Sequence, residues 1–483
     1  MSTTRVEKLR AEMAGEVLVA GSDGYDEARR VWNADIDRRP GVIARCTSAA
    51  DVSAAVRHAV DLGLEVAVRG GGHSISGMSV VDDGLMVDLS RMNGVTVDPE
   101  ARRGRTGGGA LLSDLIAAAQ EHGLALPVGA ISHTGVGGLT LGGGMGWLTR
   151  KHGLTIDHLL SAEVVLADGR IVRASVEDHP DLFWALRGGG GNFGVVTEFE
   201  FALHPVGPMI EFGMMFWGLD QGAEALRAAR DVVGSLPDGV NVVFAALNAP
   251  PEPFVPEQYQ RQPGYAAVVA GFHGAQEHRE VLDRFRAAVP PLWEVAMPMP
   301  YVALQQMLDE PNAWGHYYYD KGLYLEDLTD GVIDVLVEHV PRKSSPLSVV
   351  LLYRLDAAYC DVDDGATAFS GARSPRYGVF IIADGPVPEL LEADRPWVRA
   401  LHDALACHTP IENTYVNALA GDEGEDRMRA AYGTGKYERL ARIKREYDPG
   451  NVFHRNANIR PAALAPDQRR PAVDATHVGA LPS

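Results

Sequence analysis

Between residues 48 and 63 apolar side chains return every third or fourth position, at Val52, Ala55, Val56, Ala59 and Val60. That spacing predicts an amphipathic helix, opened by Ser48 with Asp51 three residues on and closed by Gly63. Short apolar runs at 42–44 and 66–68 flank it, so the segment reads as a β-α-β unit. A second helix, at about 110–122, carries Leu112, Leu115, Ile116 and Ala119 on one face and stops at Gly123. The pattern then changes to period two. Residues 162–166 and 171–174 flank Asp168-Gly169 as the arms of a hairpin. After a short helix at 180–186, Phe199 and Phe201 alternate with Glu198 and Glu200 along a strand. Helices and strands with hairpins between them predict an α+β fold rather than a purely parallel sheet.

From about residue 206 the glycine clusters end. Strands at 242–247 and 266–271 alternate with helices at 275–288 and 327–339, then a helix-rich stretch at 422–445 leads into Tyr447-Asp448-Pro449-Gly450-Asn451-Val452-Phe453. The chain therefore divides into a first domain (1–205, two α+β subdomains), a second domain (206–445), a returning segment (446–462) and an Ala/Pro-rich tail (463–483) expected to be disordered. A length of 483 residues suits two or three domains. Acidic residues exceed basic ones by 64 to 44, for a net charge of −20, which argues against nucleic acid or an anionic membrane as partner. Cys46, Cys360 and Cys407 are far apart, which argues against a disulfide framework or a zinc site. The polar start of the chain and the absence of any long apolar run make the cytoplasm the expected location.

The candidate chemistry lies in the glycines. Arg69-Gly70-Gly71-Gly72-His73-Ser74 follows a strand, a second cluster runs from Gly135 to Gly146, and a third spans Gly188 to Gly194. Glycine lets a backbone turn sharply and bring its N–H groups against a bulky anion. No P-loop is present and no cluster matches the dinucleotide fingerprint. The arrangement suits one long cofactor threaded between several loops. His73 alone reads either as a nucleophile beside that cofactor or as an exposed histidine on a glycine turn.

The RGGGHS loop, the GVGGLTLGGGMG segment, Leu154-Thr155-Ile156-Asp157, Ala167-Asp168-Gly169, Asp181-Leu182-Phe183-Trp184 with RGGGGNFG, and YDPGNVF with Asn456 and Asn458 together resemble the berberine-bridge-enzyme-like flavoproteins of the vanillyl-alcohol oxidase superfamily. The resemblance spans about residues 30–460. It implies a two-subdomain FAD-binding domain and a substrate domain whose antiparallel sheet, covered by helices, roofs the flavin ring. It also implies that His73 is the covalent attachment site, with Gly70, Gly71, Gly72, Ser74 and Gly77 along the pyrophosphate. Thr134, Gly135, Gly138, Gly142, Gly144, Gly146, Val196 and Asn451 would contact the rest of the cofactor. Bicovalent members carry a cysteine where this chain has Ile131, so the flavin is expected to be held through His73 only. Thr134 stands where the family tunes oxygen access.

Tyr415, in a Tyr-x-Asn element with Asn417, matches a catalytic base of alcohol-oxidising relatives; packing under the ring or hydrogen bonding to substrate are the alternatives. In the aromatic run Trp314–Lys321, strand alternation puts Tyr317 and Tyr319 toward the substrate and Tyr318 away, although ordinary sheet packing serves equally. His133 and His152 read as surface or polar-network residues. The expected activity is oxidation of a small organic substrate (alcohol, sugar, phenol or amine) by hydride transfer to FAD, with O2 as acceptor. The competing expectation is a flavoprotein that sequesters a toxic compound with little turnover. Substrate identity and oligomeric state stay open.

Overall fold

The structure is a computed structural model that describes residues 3–410, 414–419 and 424–463. Most of the expected tail and the start of the helix-rich stretch at 422 lie outside the described residues. The helix Ala49–Leu62 forms where the periodicity puts it. The Ser48 hydroxyl accepts from the Asp51 N–H at 3.2 Å, and Gly63 ends the helix in the left-handed region at φ 62°. Its apolar face packs on a four-stranded sheet, in spatial order Glu16–Leu18, Val42–Arg45, Leu85–Asp88, Val66–Arg69. The last three strands are parallel and the first is antiparallel to its neighbour.

The second sheet is antiparallel throughout, in the order Val95–Asp98, Arg103–Gly107, Val195–Ala202, Leu159–Val165, Ile171–Ser175. Phe199 and Phe201 are fully buried on one face of its central strand, and Glu200 on the other collects Ser161, Arg103 and Arg105. Asp168-Gly169 closes the edge hairpin, with Gly169 at φ 82°.

The larger layer is a seven-stranded antiparallel sheet, ordered Trp293–Pro300, Met209–Gly218, Pro263–Gly271, Val240–Asn248, Val349–Leu355, Arg376–Gly385, Tyr317–Leu325. Helices Gly222–Val233, Ala275–Ala288, Asp330–His339 and Pro388–Ala406 share one apolar core with one face of it. The other face looks onto the first two sheets. The architecture is α+β, with parallel pairing confined to the first sheet. No helix among the described residues is long and apolar enough to cross a membrane.

The chain comes back to its first domain earlier than residue 446. The helix Thr434–Tyr447 already packs against Pro180–Leu186, with Arg439 paired to Asp181 at 2.8 Å, and the preceding helix sends the Tyr432 hydroxyl to the Gly188 carbonyl at 3.1 Å. A buried knot fixes the segment beyond that helix. Lys444 Nζ, fully buried, donates to Asp448 Oδ2 and the Asn192 carbonyl at 2.6 Å each, and to the Phe453 carbonyl at 2.9 Å. Asp448 in turn accepts the Val452 and Phe453 N–H groups at 2.8 and 2.9 Å. All three Lys444 donors and both Asp448 oxygens are engaged, which is the condition under which a dry ion pair persists. Lys444→Met strands Asp448 without its cation, so its unfolding free energy in urea should fall by about 3–5 kcal/mol; a loss within 1 kcal/mol would contradict this role.

Candidate active site

The sheet face opposite the helices and the glycine loops of the first domain enclose a cavity of about 1370 Å³. That exceeds a drug-sized pocket and leaves room for a dinucleotide together with a small second ligand. Its floor is backbone. Gly70, Gly71, Gly72, Gly135 and Gly138 all line it, and the first two glycine clusters touch there. A methyl group on Gly71 would overlap the Gly135 amide nitrogen, and one on Gly135 would overlap that of Gly71. Part of the second cluster is the helix Val136–Gly142 rather than a loop, because its glycines let it seat against the Gly108 carbonyl and Asn417.

His73 leaves the first loop just after Gly72, which turns at φ 67°. Its ring is stacked on Trp32 at 4.0 Å, and Trp32 is stacked in turn on Tyr318 at 3.6 Å. Nε2 of His73 lies 3.2 Å from Nδ1 of His133, so Nδ1 is the ring nitrogen not held by another side chain. Burial, with the neighbouring imidazole adding to it, pushes the His73 pKa down to about 3. The ring is therefore neutral at pH 7, as a nitrogen nucleophile must be. His133 belongs to this polar network. His152 is outside the cavity, stacked on His204 at 4.2 Å.

Tyr415 reaches the same cavity from the second domain. Its hydroxyl oxygen accepts from the Gly144 N–H at 3.1 Å and from Asn417 Nδ2 at 3.0 Å. Burial raises its pKa above the usual 10, and the two hydrogen bonds oppose that rise. With both donors aimed at the oxygen, the hydroxyl proton is the group left to face a ligand. Phe369 and Phe380 hold the ring, each at 6.2 Å.

The roof reverses the expected phase of the aromatic strand. Tyr317 and Tyr319 pack toward the covering helices, where Arg399 donates to the Tyr319 hydroxyl at 3.1 Å, and neither lines the cavity. Tyr318 and Asp320 take the inner face. Alternation gives two sets of residues but not which set is inside. Here Asn33 decides, bonding both the N–H and the carbonyl of Tyr318 at 2.9 and 3.0 Å while Trp32 stacks on its ring. The inner face also brings Asp384 beside His316, Oδ1 to Nδ1 at 3.0 Å. Sequence reasoning missed Trp32, His316, Asp320 and Asp384, which have no local motif.

The other candidates divide into two groups. Ser74, Thr134 and Val196 line the cavity, as does Ile131 at the position of the family's second tether, while none of the three cysteines does. Gly77, Gly142, Gly144 and Gly146 stand behind it. They are small so that Ile36, Asn417, Thr155 and the Val128 carbonyl can approach. Asn451, at φ 51°, is also behind the lining, but Asn456 and Asn458 belong to it. The side-chain oxygens of all three asparagines are buried without a partner among the described residues. Unpaired acceptors beside a backbone floor fit a polar, hydrogen-bonding cofactor such as FAD.

The family model described as "FAD binding domain" matches residues 40–175, and "Berberine and berberine like" matches 414–460. (R)-6-Hydroxynicotine oxidase of Paenarthrobacter nicotinovorans is 31% identical over 467 residues, 92% of this chain and 97% of that one. The solved 6-hydroxy-D-nicotine oxidase of Arthrobacter nicotinovorans is similar at a TM-score of 0.81 and 28% identity, over 93% of this chain and 98% of that chain. A glucooligosaccharide oxidase of Acremonium strictum, described with a 6-S-cysteinyl, 8α-N1-histidyl FAD, is similar at 0.83 and 25%, over 94% and 100%. The glycine contact generates a prediction. Gly71→Ala or Gly135→Ala should yield folded protein that has lost most of its flavin absorbance per mole of chain, and full retention would show that the floor tolerates a side chain.

Proposed function

The chain belongs to the berberine-bridge-enzyme-like FAD-linked oxidoreductases, and we propose that it holds its flavin by one covalent bond, from His73, and oxidises a small organic substrate with Tyr415 as proton acceptor and O2 as electron acceptor. The observation that carries this reading is that His73 and Tyr415, from different domains, line one cavity between a backbone floor and a sheet roof. FAD, when bound, would supply the two-electron acceptor for the substrate's hydride, with O2 as the final acceptor. The chain supplies the rest. Neutral His73, held by Trp32 and His133, presents Nδ1 for the bond to the cofactor. Tyr415 acts as its phenolate, whose charge rests on the Gly144 N–H and Asn417; its Oη takes the substrate's O–H or N–H proton and becomes the neutral phenol. Asn456, Asn458 and the glycine amides would hold the polar parts of the cofactor, and the roof would exclude water from the reacting centre.

Acid-denatured protein should keep its flavin on the polypeptide, and His73→Ala should release it; release from the unaltered chain would overturn the tether. Tyr415→Phe should slow anaerobic flavin bleaching by about 10²–10⁴-fold. Because the Tyr415 pKa is raised rather than lowered, the bleaching rate should climb with pH up to 10 without a plateau, and the phenylalanine variant should be flat. Tight stoichiometric binding of a compound with no flavin bleaching and no peroxide would favour sequestration instead.

A further inference from the structure

The ring of His73 has two supports, His133 at its edge and Trp32 on its face, and the first domain fixes neither of them alone. The His133 side chain has no hydrogen bond besides the one to His73, since its Nε2 is buried without a partner among the described residues. The backbone on either side therefore places that ring. Thr134 gives its carbonyl to the Leu112 N–H at 2.9 Å, and Ser132 gives its carbonyl to the Ser113 N–H at 2.8 Å, both within the first domain. The N–H and hydroxyl of Ser132, a residue only 3% exposed, are left over. Asp309 of the second domain takes both, Oδ1 accepting the N–H at 2.7 Å and Oδ2 the hydroxyl at 2.5 Å. Without this carboxylate a buried N–H would go unpaired, and the loop would have to move to find a partner.

Trp32 is held by the same stretch of chain. Residues 307–316 run without regular structure between the helix Tyr301–Gln306 and the strand Tyr317–Leu325. Within them Asn312 offers its carbonyl to Trp32 Nε1 at 2.8 Å, and the Gly315 N–H donates to the Trp32 carbonyl at 3.2 Å. The chain turns at Gly315 with φ 89°, and Trp314 lies over Gly72, the residue before His73. The segment is stiffened from inside, by the Asp309 N–H on the Gln306 carbonyl at 3.0 Å and Asn312 Nδ2 on the Leu308 carbonyl at 2.8 Å. One segment thus clamps both supports.

We infer that Asp309 is a positioning residue for the covalent bond between His73 and the flavin: it sets Ser132, and through it His133, so that Nε2 of His73 keeps the imidazole proton and Nδ1 presents its lone pair. The inference rests on the reading of His73 as the tether. A neutral imidazole carries one proton, so an N–H at Nε2 leaves Nδ1 bare. His133 Nδ1 is the acceptor that favours this tautomer, and at 3.2 Å a small shift of its loop breaks the contact. In forming the tether, one C–H of the flavin 8α-methyl group is exchanged for a C–N bond to Nδ1. The methyl proton and the Nε2 proton leave, and two electrons pass to O2, which takes both protons to become hydrogen peroxide. Binding of the flavin uses the glycine floor and the asparagines instead, so it does not depend on Asp309.

The test uses the full chain produced free of flavin in riboflavin-starved cells and mixed with FAD in air. Acid-stable flavin absorbance follows the bond, while total flavin per chain and thermal melting follow binding and folding. Asp309→Ala should form the bond about ten-fold more slowly than the wild type, with total bound flavin unchanged. Asp309→Asn keeps an oxygen for the Ser132 N–H and turns its amide to the hydroxyl, so it should restore most of the rate. Ser132→Ala removes only the hydroxyl bond and should slow bond formation about three-fold; it keeps the test open where Asp309→Ala does not fold. Wild-type rates in the folded alanine variants would overturn the inference, as would a fall in total flavin and melting temperature with the tethered share unchanged. A wild-type chain that binds FAD and releases all of it in acid would overturn the tether itself, and the inference with it.

Discussion

The site depends on one backbone contact, that between Gly71 and Gly135. Two loops more than sixty residues apart in sequence meet there without any side chain between them. Their close approach sets His73 beside His133 and keeps Thr134 and Ile131 on the same wall. A floor made this way presents peptide N–H groups instead of cationic side chains, which suits a chain whose overall charge would otherwise repel phosphate. It also leaves the loops little conformational freedom of their own, so neighbours must hold them. Ile36 against Gly77, Thr155 against Gly144 and the Val128 carbonyl against Gly146 do that from behind.

The two groups proposed to react are tuned by exclusion of water. His73 is kept neutral because burial and a second imidazole both oppose a positive charge. Tyr415 is pulled in two directions, upward by burial and downward by the two donors on its oxygen. Each result is set by residues from both domains: Trp32 and Tyr318 flank the histidine side, and Gly144 and Asn417 hold the phenol. The chemistry proposed for the cavity thus draws on both of its walls at once.

How much of the molecule was legible in the sequence depends on the range of the forces involved. The helix Ala49–Leu62, the hairpin at Asp168-Gly169 and the buried face of Phe199 and Phe201 are written in local period and local turn chemistry, and they appear where the pattern puts them. The glycine clusters could be recognised as close approaches, but not which partner each one meets. Gly71 meets cofactor-side backbone, whereas Gly142 makes room for Asn417. The phase of residues 317–320 was wrong for a similar reason, because Asn33 and Trp32 choose it from nearly three hundred residues away. His316 and Asp384 become a pair only when their strands are laid side by side, and no spacing in the chain announces that.

The Lys444–Asp448 knot has a consequence for how the molecule is made. It ties the returning segment to Asn192, and through Asn456 and Asn458 it completes a wall of the first domain with residues from near the other end of the chain. During translation the glycine loops emerge early, yet that wall leaves the ribosome only after every strand of the roof. The first domain must therefore wait as an unfinished shell while its successor folds.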